Sequence, residues 1–394
     1  MSKIQTSNLS RIPNYYLWRI MSFVITAALV VVINHTAGMA HALLSLVGVM
    51  IGLTLVFGNF GFTGGWTSWI TQRDGRGLRA QMLILALASA VFYPILAHGS
   101  LFGSDVIGFV VPFGIASIFG SFLFGIGMQL GGCCASGVLS WAGAGSARIF
   151  ITLLGFITGG VWGAYDIAFW RALPNFRVDL TSQFGVVGGL GLTLSICGSI
   201  AIITLIFEKR RHGKVLAYNE GNDEGVQGWK KLLNGHLPIL SVILLLVLAN
   251  FLTLLLAGRP WGVTSAFVLW GSKALSLSGV DVTSWVYWKN SAALDQSIFF
   301  DITSVMNLGI FLGSFIAAQL MGTYKLRWNI SLKLIVVSLI GGLMLGYGSR
   351  IAYGCNIGAF FSGVSSASLS GWVWFISAFI GNIAGTFIKK RLLY

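Results

Sequence analysis

Charge is what this sequence most lacks. Only 9% of its 394 residues are charged, against 56% hydrophobic, and a water-soluble domain of that size could not cover its surface with so little charge. Acidic residues are the scarcest, 11 against 25 Lys and Arg, which leaves a net charge of +14. The basic residues are scattered between apolar runs, where the tendency of cytoplasmic loops to be positive accounts for them, so nucleic-acid binding is set aside. Cysteine and histidine are also few. Four cysteines without CxxC spacing and five scattered histidines do not build a zinc or iron–sulfur site, and no cofactor is expected. The adjacent Cys133 and Cys134 are badly placed to bridge each other. The first apolar run, from about Ile20, has Lys3, Arg11 and Arg19 before it but no small-residue cleavage site after it, which predicts an uncleaved first helix. No catalytic constellation is apparent, and the chain is not read as an enzyme.

Apolar length is abundant. Runs long enough to span a bilayer lie near 18–37, 41–58, 80–97, 107–130, 148–168, 185–207, 237–257, 297–321, 331–350 and 371–388, predicting ten transmembrane helices. Four stretches between them, near 60–69, 131–145, 261–277 and 352–366, are too short and too rich in glycine or polar residues to span alone. Unpaired backbone at membrane depth survives only inside protein or along a cavity, so these are expected to re-enter. With the N-terminus in the cytoplasm, only Arg171, Arg177, Arg259, Lys273, Lys289 and Arg350 of the 25 basic residues face outward, and both termini become cytoplasmic. The expected organisation is a first half over 1–207 (helix 1 plus the first repeat), a cytoplasmic linker over 208–236 and a second repeat over 237–394.

The halves are related. A shift of 221 positions brings Gly120, Gly125, Gly127, Cys134, Gly137 and Gly160 onto Gly341, Gly346, Gly348, Cys355, Gly358 and Gly381. Matched glycines are weak in a chain with 52 of them; a matched cysteine among four is not. In the ten-span topology the helix before Cys134 runs inward and its counterpart before Cys355 outward. The repeats are therefore inverted, and the two cysteines should converge near the midplane. The fold class is an all-α polytopic membrane protein with re-entrant segments in two inverted repeats.

A glycine run before a short helix exposes N–H groups at a positive dipole end, which suits an anion; the competing reading is that small residues let helices pack closely. On the first reading Gly132, Gly137, Gly354, Gly358 and Gly61 belong to the site. A thiol is a weak, polarisable donor, poor with a strongly hydrated oxyanion but suited to sulfur, so Cys134 and Cys355 point to an anion with exposed sulfur. Arg350, in the repeat position of Gln129, lies five residues before Cys355 and is a candidate by its position near the membrane boundary. Thr63 and Thr264, in the similar stretches Gly61–Gly65 and Gly262–Ala266, either donate to a ligand or, the favoured reading, cap helices. Cys133 aligns with Gly354 and is left open; Cys197 is read as core.

At these residues the chain resembles the YeeE/YedE family of bacterial sulfur transport proteins. The resemblance runs through Gly58-Asn59-Phe60-Gly61-Phe62-Thr63-Gly64-Gly65, Phe124-Gly125-Ile126-Gly127, Gly132-Cys133-Cys134-Ala135-Ser136-Gly137, Leu312-Gly313-Ser314-Phe315-Ile316-Ala317-Ala318 and Gly354-Cys355-Asn356-Ile357-Gly358. It implies uptake of thiosulfate across the inner membrane, with cysteines passing the ion along through S–H hydrogen bonds to its terminal sulfur. Two inverted halves pinched at the centre and a small cytosolic sulfur carrier of the TusA type as partner are also implied, and some members are associated with selenium metabolism instead. The chain departs from the thiosulfate-transporting pattern where Gly61 takes the place of a third cysteine and Asn59 that of a basic residue. Two other readings stay open: a membrane thiol-redox subunit, and a non-transporting anchor for a sulfur carrier.

Overall fold

The computed structural model describes residues 15–218, 237–289, 291–326 and 328–393. Lys3, Arg11, Lys230, Lys231, Arg327 and most of the predicted linker lie outside them. Among the described residues ten helical stretches are long and apolar enough to cross a membrane.

Helices α1 (Tyr15–Ala37) and α2 (Met39–Phe57) are followed by a short α3 (Phe62–Gln72), then by α4 (Arg76–His98) and α5 (Ile115–Gly131). A nine-residue α6 (Ala135–Gly143), α7 (Ala147–Tyr165), a short α8 (Ile167–Ala172) and the long α9 (Leu180–His212) complete the first half. The second half contains α10 (Ile239–Ala257), α11 (Thr264–Leu277), α12 (Ile302–Leu320), α13 (Leu332–Ile351), a π-helical segment (Asn356–Ser362) and α14 (Leu369–Leu393). Two small antiparallel pairs, β1 (Ser100–Leu101) with β2 (Ser104–Asp105) and β3 (Phe113–Gly114) with β4 (Asn175–Phe176), close loops at the helix ends. The predicted spans are all present. The four re-entrant stretches are α3, α6, α11 and the π-helical segment.

Two of the predicted spans differ markedly from expectation at their ends. The stretch 107–114 is not helical, because Gly114 is pinned against the Pro174–Asn175 backbone in the β3–β4 pair and α5 starts only at Ile115. The α9 helix carries a non-helical Gly185 (φ 72°) and continues to His212. Glu208, expected in the soluble linker, is consequently in the last turns of a helix and fully buried.

Close backbone approach at glycines holds the frame together and gives the direction of each crossing. Gly120 lies against Gly348 and Ala352, Gly127 against Gly341 and Leu345, and Gly341 against Gly131. As α5 is followed forward α13 is followed backward, so these repeat counterparts run antiparallel, as inversion requires. The α5–α14 contact is instead parallel, with Gly381 against Phe122 and Gly385 against Ile126. Its counterpart, α13 on α7, is parallel too, with Gly155 against Leu339 and Gly342 and Gly159 against Leu343. A Cβ at Gly125 or Gly381 would sit 2.0 Å from the carbonyl oxygen of Ala378 or Phe122. Bilayer tails are as apolar as leucine, so backbone packing of this kind, more than burial of apolar surface, binds one helix to the next. Helices α1, α8 and α9 lie outside the repeated set; α1 packs on α2 and α12, and α9 on α4.

The end of α9 ties down the face on which α3 turns into α4. Glu208 accepts from the Gly75 N–H (2.7 Å), the Leu216 N–H (2.7 Å) and both terminal nitrogens of Arg79 (3.0 and 3.1 Å). Arg76 pairs with Asp74 at 2.8 Å and donates to the Ala217 carbonyl, while His212 meets the Gln72 carbonyl. Residues 212–218 thus form a strap across the end of α3. The face that carries it is called the strap face below.

Candidate functional site

Both cysteine turns are built in the same way. The α5 helix ends on Gly132 in the left-handed region (φ 86°), and α13 is followed by Tyr353, also left-handed (φ 63°); the two positions are 221 apart. Each left-handed residue turns the chain so that Cys134 and Cys355 become extended N-caps, of α6 and of the π-helical segment. Glycine takes that conformation freely, whereas a tyrosine is strained in it. The thiols are 2% and 1% exposed, and α6 touches the π-helical segment. The two cysteine-capped segments thus meet, as the inverted repeat requires of them.

The local contacts of the two thiols differ. Cys134 Sγ lies 3.5 Å from Ser136 Oγ. Cys355 Sγ accepts from the Ile357 N–H at 3.4 Å. One N–H of that segment's first turn is therefore aimed at the sulfur itself. The predicted site glycines divide by role. Gly132 makes the turn and lies against the Arg148 guanidinium; Gly137 leaves room for Cys133 and Cys134, its Cβ position being 2.9 Å from Cys133 Cβ and 3.6 Å from Cys134 Sγ; Gly354 fits against the Ala359 N–H. Gly358 and Gly61 face open space.

Away from the strap face, a cavity of about 540 Å³ opens onto this constriction. Gly354 and Gly358 line it, together with Arg350, Arg259, Tyr287, Trp261 and Asp105. Arg350 donates to the Tyr287 hydroxyl at 2.5 Å and sits 4.7 Å from the centre of its ring, while its buried Nε has no partner. Arg259 donates to Thr303 Oγ1 at 3.2 Å. Among the described residues the ion pairs are Arg76–Asp74 and Arg79–Glu208, so neither arginine of the cavity wall is held in an ion pair, and the two outnumber the Asp105 carboxylate on the same wall. The Gln129 counterpart of Arg350 instead knots three helices, donating to Thr67 Oγ1 (2.6 Å) and Asn382 Oδ1 (2.9 Å).

Gly61 is the extended N-cap of α3, the position that Cys134 and Cys355 hold in their own segments. The tip of α3 reaches the π-helical segment, with the Phe62 and Phe360 rings 6.5 Å apart. The capping expected of Thr63 is absent: Gly61 is the N-cap, and the buried Thr63 hydroxyl has no partner. Thr264 likewise does not cap α11, whose N-cap is Val263. Cys197 is buried on the peripheral α9, on the helix outside the repeats. Arg259, read from the sequence only as an outward-facing charge, and Trp261 were not among the expected site residues; their position in the second half with Arg350 on the charge-poor side was the available signal.

Sequence comparison finds a match over residues 57–384 to the family described as sulphur transport. The probable transporter YedE of Escherichia coli (strain K12) is 39% identical over 130 residues, 33% of this chain and 32% of that protein, so the alignment spans about a third of its length. The thiosulfate transporter TsuA of Spirochaeta thermophila is 27% identical over 358 residues, covering 88% of this chain and 98% of its own. The thiosulfate transporter TsuA of Escherichia coli (strain K12) is 21% identical over 342 residues, 85% and 90% of the two chains.

Proposed function

The chain belongs to the sulphur transport family, and from that premise we propose that it carries a sulfur-containing anion, thiosulfate first, across the bacterial inner membrane. The observation that bears most weight is the pair of repeat-related thiols, Cys134 and Cys355, capping two short segments that meet below a cavity walled by Arg259 and Arg350. The names of the TsuA relatives support thiosulfate as the ion. In this reading the strap and both termini face the cytoplasm, the cavity faces outward, and a cytosolic sulfur carrier of the TusA type docks on the strap side.

The steps follow from the geometry. Two cations facing one cavity raise the local concentration of a dianion, and low-dielectric walls strengthen that attraction. The guanidiniums do not distinguish sulfate from thiosulfate. Discrimination falls to the thiols, because passage between α6 and the π-helical segment strips water from the ion. A terminal sulfur then meets S–H donors suited to it, whereas an oxyanion end meets donors weaker than the water it lost. The cysteines act as non-covalent donors, and neither a bond to sulfur nor an electron transfer is required.

Proteoliposomes test this directly. Uptake of labelled thiosulfate is measured against competing thiosulfate and sulfate, for the native chain and for the double variant Cys134→Ser, Cys355→Ser. A hydroxyl is a harder donor of similar size, so the variant is expected to lose discrimination more than it loses anion uptake. With about 0.5 to 1 kcal/mol net per hydrogen bond, two thiols amount to a preference of roughly five- to thirty-fold. An identical sulfate-to-thiosulfate ratio in both proteins would leave a generic anion path.

A further inference from the structure

We propose that Asn356 reads the oxygen end of the transported anion. The inference rests on the sulfur-anion reading above and supplies what two thiols cannot, a hard donor at the constriction. Asn356 follows Cys355 directly in the π-helical segment and is completely buried, yet neither its Oδ1 nor its Nδ2 has a hydrogen-bond partner. A buried carboxamide with both ends unmet bears the full desolvation penalty of a donor and an acceptor, and native interiors seldom keep such a group without a use for it.

The rest of the molecule does not explain it. The repeat counterpart of Asn356 is Ala135, at the same position after the capping cysteine, so the symmetric frame needs only a small apolar side chain there. A neighbouring segment tip, that of α3, also leaves a polar group open, since Thr63 beside Phe62 is buried with an unpartnered hydroxyl. Two of the short segments that meet here thus carry unmet polar atoms, in one of them on the residue that follows Cys355.

An ion of the thiosulfate type has two unlike ends, a polarisable sulfur and a set of hard oxygens. The thiols suit the first. The two N–H bonds of a carboxamide held by nothing else suit the second, and the group is free to turn toward them. Sulfate satisfies only the amide and hydrosulfide only the thiols, so an ion that carries both ends is preferred over each.

The test uses the full-length chain solubilised in detergent and follows thermal unfolding as thiosulfate is titrated, for the native protein, Asn356→Leu and Asn356→Ala. Leucine fills the same space and removes both unmet groups, so without ligand its Tm is expected to equal or exceed that of the native chain. The thiosulfate concentration that gives half of the stabilisation should rise at least tenfold in both variants. Should the leucine variant misfold, alanine, the residue its counterpart carries, still reads the binding loss. An unchanged thiosulfate midpoint in a folded variant would overturn the role of Asn356 while leaving the transport reading intact. A native chain that thiosulfate does not stabilise at all would remove both.

Discussion

At the scale of single residues, the N-cap position decides what each short segment can do. Cys134, Cys355 and Gly61 are all extended residues at the start of a buried or half-buried segment, so a side chain placed there lies at the tip of a re-entrant element. Removing a thiol from such a tip deletes few packing atoms. Cys134→Ala and Cys355→Ala are expected to abolish thiosulfate uptake while membrane abundance holds, and Cys197→Ala, on α9, should leave uptake within about twofold; parallel loss of folded protein in all three would return the cysteines to a packing role. Gly61 offers the converse experiment. A Cβ there meets nothing within 4 Å, so Gly61→Cys should fold as the native chain does and add a third thiol. A single extra S–H bond predicts a gain in thiosulfate-over-sulfate preference of roughly two- to fivefold, measured by competition. Much of this was legible in the sequence, because a cysteine repeated 221 positions apart marks a duplicated turn. The missing cap at Thr63 was not, since a threonine at the N-cap and one two positions further into the helix look alike until the turn is drawn.

Elements are held by two different means, and each has its own test. Inside the repeats, glycine backbones meet. Gly381→Ala would place a Cβ 2.0 Å from the Phe122 carbonyl oxygen, whereas at Gly191 on α9 it would meet nothing. The first is expected to lower Tm or abolish accumulation, through overpacking that typically costs about 1 to 3 kcal/mol and more where only backbone could yield. The second should be neutral or slightly stabilising through helix propensity. Equal stability of the two would mean that the α5–α14 contact does not bind the frame. At the strap face, charge replaces contact. Glu208 satisfies four donors while fully buried, and breaking such a pair from one side typically costs about 3 to 5 kcal/mol. Glu208→Ala should therefore expose the strap to protease before the membrane helices unfold. Beside it, the hydrogen bond from Arg76 holds the Asp74 carboxyl below its ordinary value of 3.8. A depressed value means that the pairing stabilises the strap fully above the ordinary carboxylate range and loses that contribution as pH falls through the depressed value. Asp74→Asn should accordingly show a flatter acid limb in strap proteolysis than the native chain.

Across the whole molecule, orientation is the open quantity that most of the functional reading depends on. A single cysteine placed in the strap at Lys214, on a background with the native cysteines replaced by alanine, should be labelled by an impermeant reagent only from the cytoplasmic side. Labelling from outside would turn the proposed entrance into an exit. The spans, the duplication and its inversion were readable from apolar length, glycine register and the charge asymmetry, all of which the bilayer imposes on sequence. What the bilayer does not impose was not readable: the short α8, the loop-closing β pairs, the extension of α9 to His212 and the burial of Glu208 depend on tertiary partners far along the chain.

The antiparallel crossing of α5 and α13 has one more consequence. A frame made of two near-copies set head to tail offers almost the same hill to a traveller from either direction, so the frame alone cannot rectify. Bias must come from what the duplication did not copy. The cavity side carries two arginines against one carboxylate, while on the strap side the equivalent of Arg350 is a neutral glutamine tied to its neighbours and a strap crosses the end of α3. Swapping those fittings between the mouths, without touching the pinch, is the change that would alter which way the current prefers to run.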